Sequence, residues 1–174
     1  MDANEKLKGK KILIVDDEPD VLETLEELLD ICSVDSAGSF ESAETFLRHE
    51  TYDAAILDIM GVRGYDLLKI TTQKGIPTLM LTAHALSPDN LVKSIRTGAY
   101  AYVPKDRIID ITTFVADIIE AHESGERVSG KWFARLKPFF DKKFKPGWRK
   151  KDDAFWREFD RRNVVYKEDV DKIL

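Results

Sequence analysis

The stretch Lys11-Ile12-Leu13-Ile14-Val15-Asp16-Asp17-Glu18-Pro19 decides the fold. An apolar run of strand length stops on three consecutive acids. A proline then opens a segment with Val21, Leu22, Leu25, Leu28 and Leu29 at helical spacing. A strand without polar alternation is buried on both faces, as in parallel sheets covered by helices. The same pattern recurs downstream. Strands are expected at Lys11–Val15, Ser33–Ser36, Ala54–Asp58, Thr78–Leu81 and Ala101–Val103. Helices are expected from Pro19 to about Asp30, after Ser39 to His49, over Tyr65–Thr72, from Pro88 to Thr97 and over about Asp110–His122, before Gly125. Five such βα units predict an α/β fold, a doubly wound five-stranded parallel sheet whose ligands sit at the carboxyl ends of the strands.

The 174 residues suit one medium domain with about 50 residues to spare, and the net charge of −5 conceals two chemically different parts. Residues 1–126 carry a net −12 and read as aliphatic. Residues 127–174 carry a net +7 and hold 10 of the 17 aromatic residues, including all three tryptophans. A boundary near Ser124-Gly125 follows, with residues 1–125 as one domain and 126–174 as a basic, aromatic, helical C-terminal extension. Cys32 is the single cysteine, so neither an internal disulfide nor a cysteine-rich metal fold is available. The apolar runs are far shorter than a bilayer span, and the charged N-terminus lacks the pattern of a secretory signal, so the expected location is cytoplasmic.

The carboxyl ends of the predicted strands carry the chemistry. Asp16, Asp17 and Glu18 follow the first, Asp58 ends the third, Thr82 ends the fourth and Lys105 follows the fifth. Carboxylates converging from neighbouring strands repel one another unless a cation intervenes. An all-oxygen donor set with no nearby His or Cys favours Mg²⁺. With charge neutralised, Asp58 at the centre of the sheet is placed to act as a nucleophile on phosphorus. Lys105 and the Thr82 hydroxyl supply the cation and donor for the phosphoryl oxygens.

These residues resemble the receiver domain of two-component response regulators over about residues 9–123. The resemblance rests on Asp16-Asp17 after Ile-Leu-Ile-Val, Asp58 after Ala-Ile-Leu, Thr82-Ala83 after Leu-Met-Leu, Gly98-Ala99, Tyr102 and Lys105. Separations of 41, 24 and 23 positions from Asp17 to Asp58, Thr82 and Lys105 in turn match the family. The resemblance implies the flavodoxin-like receiver fold and a phosphoryl group accepted on Asp58 from a histidine kinase or phosphotransfer protein. It implies Mg²⁺ on Asp17, Asp58 and the Met60 backbone carbonyl, with Asp16 reaching it mainly through water. Thr82 and Tyr102 become a switch pair, the hydroxyl moving to the phosphoryl oxygens as the ring turns inward, and Lys105 bridges to a phosphoryl oxygen. His84, two residues after Thr82, is a candidate for tuning hydrolysis, against its plainer reading as a solvated loop histidine. Such a protein turns over no separate substrate and catalyses only its own phosphorylation and dephosphorylation. Two departures stand out: Ile59-Met60-Gly61-Val62-Arg63-Gly64 makes a short loop after Asp58, and Asp106 follows Lys105 where a proline is common.

Other classes fit less well. An aspartate-nucleophile phosphohydrolase wants a second Asp two residues after the first, where this chain has Met60. No GxxxxGK[ST] loop is present for a nucleotide enzyme. A pseudo-receiver or scaffold with a phosphorylation-independent tail is the alternative left by the short loop. In the extension, Trp132, Phe133, Leu136, Phe139, Phe140 and Phe144 are spaced almost helically, with Pro138 expected to start a second half. Lys145-Pro146-Gly147 reads as a turn before Trp148–Arg162 and a last polar segment. So short an extension needs a surface to fold against, either its own receiver or a second copy in a homodimer. The interleaved basic and aromatic residues also admit DNA or anionic lipid. Asp152-Asp153, Glu158 and Asp160 interrupt the stripe, so nucleic-acid binding is the less favoured reading.

Overall fold

The computed structural model describes residues 2–125 and 130–162. Five parallel strands, β1 (Lys11–Val15), β2 (Ser33–Ala37), β3 (Ala54–Leu57), β4 (Thr78–Thr82) and β5 (Ala101–Pro104), form one sheet in the order β2-β1-β3-β4-β5. The apolar runs explain that order. Every residue of β3 and β4 is buried, and so is all of β1 after Lys11, whereas the edge strand β2 is partly exposed and polar. Register places the strand ends side by side, with Val15 opposite Leu57 and Thr82 opposite Pro104. Asp16, Asp58, Thr82 and Lys105 therefore emerge along one rim.

The helices of the first part are α1 (Ala3–Leu7), α2 (Pro19–Leu28), α3 (Phe40–His49), α4 (Gly64–Gln73), α5 (Pro88–Thr97) and α6 (Ile111–Glu123). Pro19 opens α2 where its missing N–H costs nothing. The Ser39 and Ser87 hydroxyls cap α3 and α5 by accepting from the Ser42 and Asn90 amides. Sequence and structure differ in detail here. The short α1, closed by an Asp2–Glu5 capping box, has too few residues to leave a periodic pattern. Lys105–Asp110 forms a 3-10 segment, so α6 starts at Ile111.

The extension contributes α7 (Gly130–Lys143) and α8 (Asp153–Arg162), joined by a turn at Lys145 to Gly147 and a 3-10 turn over Lys150–Asp152. The 3-10 turn means that helix begins at Asp153 and not at Trp148. Pro138 lies inside α7 and starts no second helix. Its ring is exposed. Burial of Leu136 and Phe140 on either side outweighs the roughly 3 kcal/mol that an interior proline costs. Val128, Ser129 and the last polar segment after Arg162 lie outside the described residues.

Trp132, Leu136 and Phe140 are completely buried, and α7 lies against β5 and α6. That contact explains why α6 is apolar on more than one side: Phe114, Val115, Ile118 and Ile119 meet the sheet and its neighbours at once. Trp132, Phe133, Phe140, Trp156 and Phe159 form a continuous ring cluster, with Phe133 5.2 Å from Trp156 and 5.0 Å from Phe159. Leu136→Ala is expected to destabilise the full chain by about 2–4 kcal/mol in urea unfolding, as for other buried leucines. Lys142→Ala on the exposed side should change it by less than about 0.5 kcal/mol.

Candidate functional site

The site is built on the ends of β1 and β3. The Asp58 amide donates to the Val15 carbonyl at 2.9 Å and the Asp16 amide to the Ala37 carbonyl at 3.1 Å, so sheet hydrogen bonding continues just past both strands. Both side chains are buried. Asp16 Oδ1 accepts from the Glu18 amide at 2.9 Å, and Asp58 Oδ1 accepts from the Ile59 amide at 2.9 Å. The second oxygen of each turns toward Lys105. Its Nζ lies 2.8 Å from Asp16 Oδ2, 3.4 Å from Asp58 Oδ2 and 3.0 Å from Glu18 Oε1.

One ammonium thus faces three carboxylates. Burial and then the neighbouring Asp16 charge push the Asp58 carboxyl up to about 6. Burial also raises Asp16, against the pull of Lys105. Glu18 is held low by its hydrogen bond from Lys105. Burial works to lower Lys105, but its carboxylate partners outweigh it and hold the ammonium charged. The sequence put Glu18 among the acids of this rim but gave it no partner, because its approach to a lysine 87 residues away depends on strand order.

Asp17 is exposed beside the short loop after Asp58. A Cβ on Gly61, which has φ +85°, would stand 2.2 Å from Asp17 Oδ2. On Gly64 a Cβ would stand 2.0 Å from the Asp58 carbonyl oxygen. The two glycines let this short loop fold over the acidic groups. Met60 lies between Asp58 and Gly61 with its side chain exposed.

Asp16, Asp17, Glu18 and Asp58 each offer a carboxylate oxygen, and these oxygens lie within 4.8 Å of one another. Asp16 Oδ2 is buried without a hydrogen-bond partner, its Lys105 contact being one of charge. A set of hard oxygen donors with excess negative charge and a buried oxygen to satisfy fits Mg²⁺.

Thr82 and Tyr102 connect to this rim through one loop. Thr82 Oγ1 accepts from the Ala85 amide at 3.1 Å. The Tyr102 hydroxyl donates to the Ala85 carbonyl at 2.7 Å and accepts from the Ser87 amide at 3.1 Å. Tyr102 is completely buried, and Phe140 of α7 lies 6.1 Å from it between ring centroids. The ring is inside, the position that the sequence reading gave to Tyr102 when the hydroxyl of Thr82 moves to a phosphoryl group. The extension's Phe140 packs beside it in that position. His84 is exposed, close enough to Glu18 to help hold that carboxylate charged.

The family model for the response regulator receiver domain matches residues 12–116. The two-component response regulator ARR18 of Arabidopsis thaliana is 35% identical over 103 residues, 56% of this chain and 16% of that protein. The response regulator protein PilR of Pseudomonas aeruginosa is 33% identical over 57% of this chain and 23% of its own length. The DNA-binding response regulator MtrA of Mycolicibacterium smegmatis is 35% identical over 55% of this chain and 44% of its own. This chain therefore spans less than half the length of these relatives. Among solved structures, a CheY-like response regulator receiver domain protein of Methanospirillum hungatei superposes with a TM-score of 0.61 at 27% identity, covering 67% of this chain and 98% of that one. The family match ends before α7.

Two outcomes follow from the crowding. Native Asp58 holds its proton more tightly than the unfolded chain does. Its contribution to stability is thus fully present below about pH 4 and is lost as pH rises through about 6. Without divalent cation, Asp58→Asn should raise the melting temperature by a few degrees at pH 7.5 and leave it nearly unchanged at pH 4, as read by calorimetry. Gly61→Ala should displace Asp17 and weaken Mg²⁺ binding about tenfold or more in titration calorimetry, while wild-type affinity declines below about pH 6 as protons compete.

Proposed function

The chain belongs to the response regulator receiver domain family, and on that premise we propose that it is the phosphoryl-accepting protein of a two-component phosphorelay, with Asp58 as the acceptor. The supporting observation is the Lys105 ammonium held between the buried carboxylates of Asp16 and Asp58 at neighbouring strand ends. A nucleophile, a cation for the incoming phosphoryl oxygens and an acidic cluster thereby share one rim.

In the forward step an Asp58 carboxylate oxygen forms a bond to phosphorus as the N–P bond of a phosphohistidine breaks. The donor is a histidine kinase or phosphotransfer protein, whose imidazole leaves and takes up a proton. Asp16, Asp17, Asp58 and the Met60 carbonyl are the residues that would hold Mg²⁺, which when bound neutralises charge on the phosphoryl oxygens. Lys105 and the Thr82 hydroxyl bind the remaining oxygens, and Tyr102 is linked to Thr82 through Ala85. Hydrolysis returns the carboxylate when water attacks phosphorus and the Asp58 O–P bond breaks. The exposed His84, near Glu18, is the candidate side chain for tuning that step.

Output in this proposal is a change in protein–protein contacts, made in the cytoplasm, with no substrate turned over. Residues 1–125 act as receiver and 126–174 as an attached interaction element, a second copy of the chain being one partner. The extension's basic side chains are partly engaged within the fold, Lys137 with Asp141, Arg149 with Asp160 and Lys151 with Asp89, which weighs against a free DNA-binding stripe. No helix among the described residues is long and apolar enough to cross a membrane.

Intact mass after incubation with acetyl phosphate tests the proposal. Wild type with Mg²⁺ should gain one phosphoryl group, while Asp58→Ala, or wild type with chelator, should gain none. Lys105→Ala should bind Mg²⁺ yet lose labelling by about a hundredfold. An unlabelled wild type alongside a labelled control receiver would make this a pseudo-receiver.

A further inference from the structure

The extension covers one particular side of the receiver, the side where the Thr82–Ala85–Tyr102 chain of contacts reaches the surface of the sheet. Phe140 stands over Tyr102 at 6.1 Å and stacks on Phe144 at 5.4 Å with nearly parallel rings. Trp132 closes the same cluster from α7, 6.5 Å from Phe140. Neighbouring elements are tied to the extension as well. Arg135 donates to both carboxylate oxygens of the buried Asp117 on α6, at 3.0 and 3.4 Å. Lys131 pairs with Glu120 on α6 at 3.1 Å, and Lys151 with Asp89 in the first turn of α5 at 3.1 Å. Arg96 in the last turn of α5 lies over the Phe155 ring at 5.1 Å. The extension is basic and the receiver acidic, so charge favours this seating over an open one.

Resting on the proposed function, we infer that α7 and α8 are a resident ligand of the α5–β5–α6 face, which through Phe140 holds Tyr102 inside and favours phosphoryl uptake on Asp58. The two sites share a physical element with limited settings. The Tyr102 hydroxyl pins both the Ala85 carbonyl and the Ser87 amide, and the Ala85 amide in turn fixes the Thr82 hydroxyl as acceptor. In that setting the Thr82 proton is free to be donated to a phosphoryl oxygen. A Tyr102 ring swung outward would need the space that Phe140 fills, and its departure would release the loop from Ala85 to Ser87. Docking of α7 and phosphorylation of Asp58 thus favour the same arrangement, and linkage requires the effect to run both ways. Phe140 is a positioning residue in this scheme, since it acts through Tyr102 and touches no reacting atom.

All three tryptophans lie in the extension, so their emission reports its seating directly. Acrylamide quenching of the full chain is measured with acetyl phosphate and Mg²⁺, with intact mass taken on the same samples. Phosphorylated wild type should be quenched less than unphosphorylated wild type, and Asp58→Asn should show no change. Phe140→Leu keeps an apolar side chain but loses the ring over Tyr102, and Arg135→Gln loosens α7 from α6 without touching either. Both should lower phosphoryl uptake at fixed donor about fivefold or more, with Mg²⁺ affinity and circular dichroism unchanged. Full labelling with quenching unchanged, or variants labelled as readily as wild type, overturns the coupling and leaves the phosphoacceptor role standing. Wild type that takes up no phosphoryl group overturns both.

Discussion

The repulsion between Asp16 and Asp58 is the constraint on which the rest of the structure depends. Because β1 and β3 are adjacent and in register, with Val15 opposite Leu57, their next residues place two carboxylates together at the edge of a buried sheet. Two such groups in an apolar setting destabilise the fold unless positive charge reaches both. Lys105 does so from the end of β5, and it arrives there only because β4 carries β5 in register with the rim. Sheet order, strand length and the 3-10 segment after Pro104 all serve that meeting. The site is therefore electrostatically unsatisfied by design of its framework, and a divalent cation or an incoming phosphoryl group acts on a balance already under tension.

The loop after Asp58 shows how tightly the arrangement is drawn. Its two glycines sit where any side chain would enter the Asp17 carboxylate or the Asp58 carbonyl. A shorter loop is tolerated because the backbone itself approaches the acids, which ties the electrostatics of the site to local conformation. On the other side, the Thr82 and Tyr102 hydroxyls meet the two backbone groups of Ala85, making one short chain of contacts from the rim to the aromatic cluster of the extension.

Much of this was legible in the residues. The central strands are uninterrupted apolar runs bounded by acids or by Thr82, so their ends, and with them the rim, could be placed within a residue. Asp16, Asp17, Asp58 and Lys105 then follow from the doubly wound pattern. What was not legible depends on approach between distant segments. Glu18 joins Lys105 only in three dimensions, α1 is too short to show a period, and the inward Tyr102 packs beside Phe140, 38 positions away. Pro138 misled for a related reason: its local preference against a helix interior is overridden by the burial of Leu136 and Phe140.

The central claim is that the buried carboxylate opposite Asp16, and no other acid or histidine of the rim, takes the phosphoryl group. Borohydride reduction of the phosphorylated full chain, followed by peptide mapping by mass spectrometry, tests it most directly, since an acyl phosphate is reduced to the alcohol at its own position. The account predicts homoserine at position 58 and nowhere else. Reduction at Asp16 or Asp17, or a stable phosphoryl group found on His84, would contradict it.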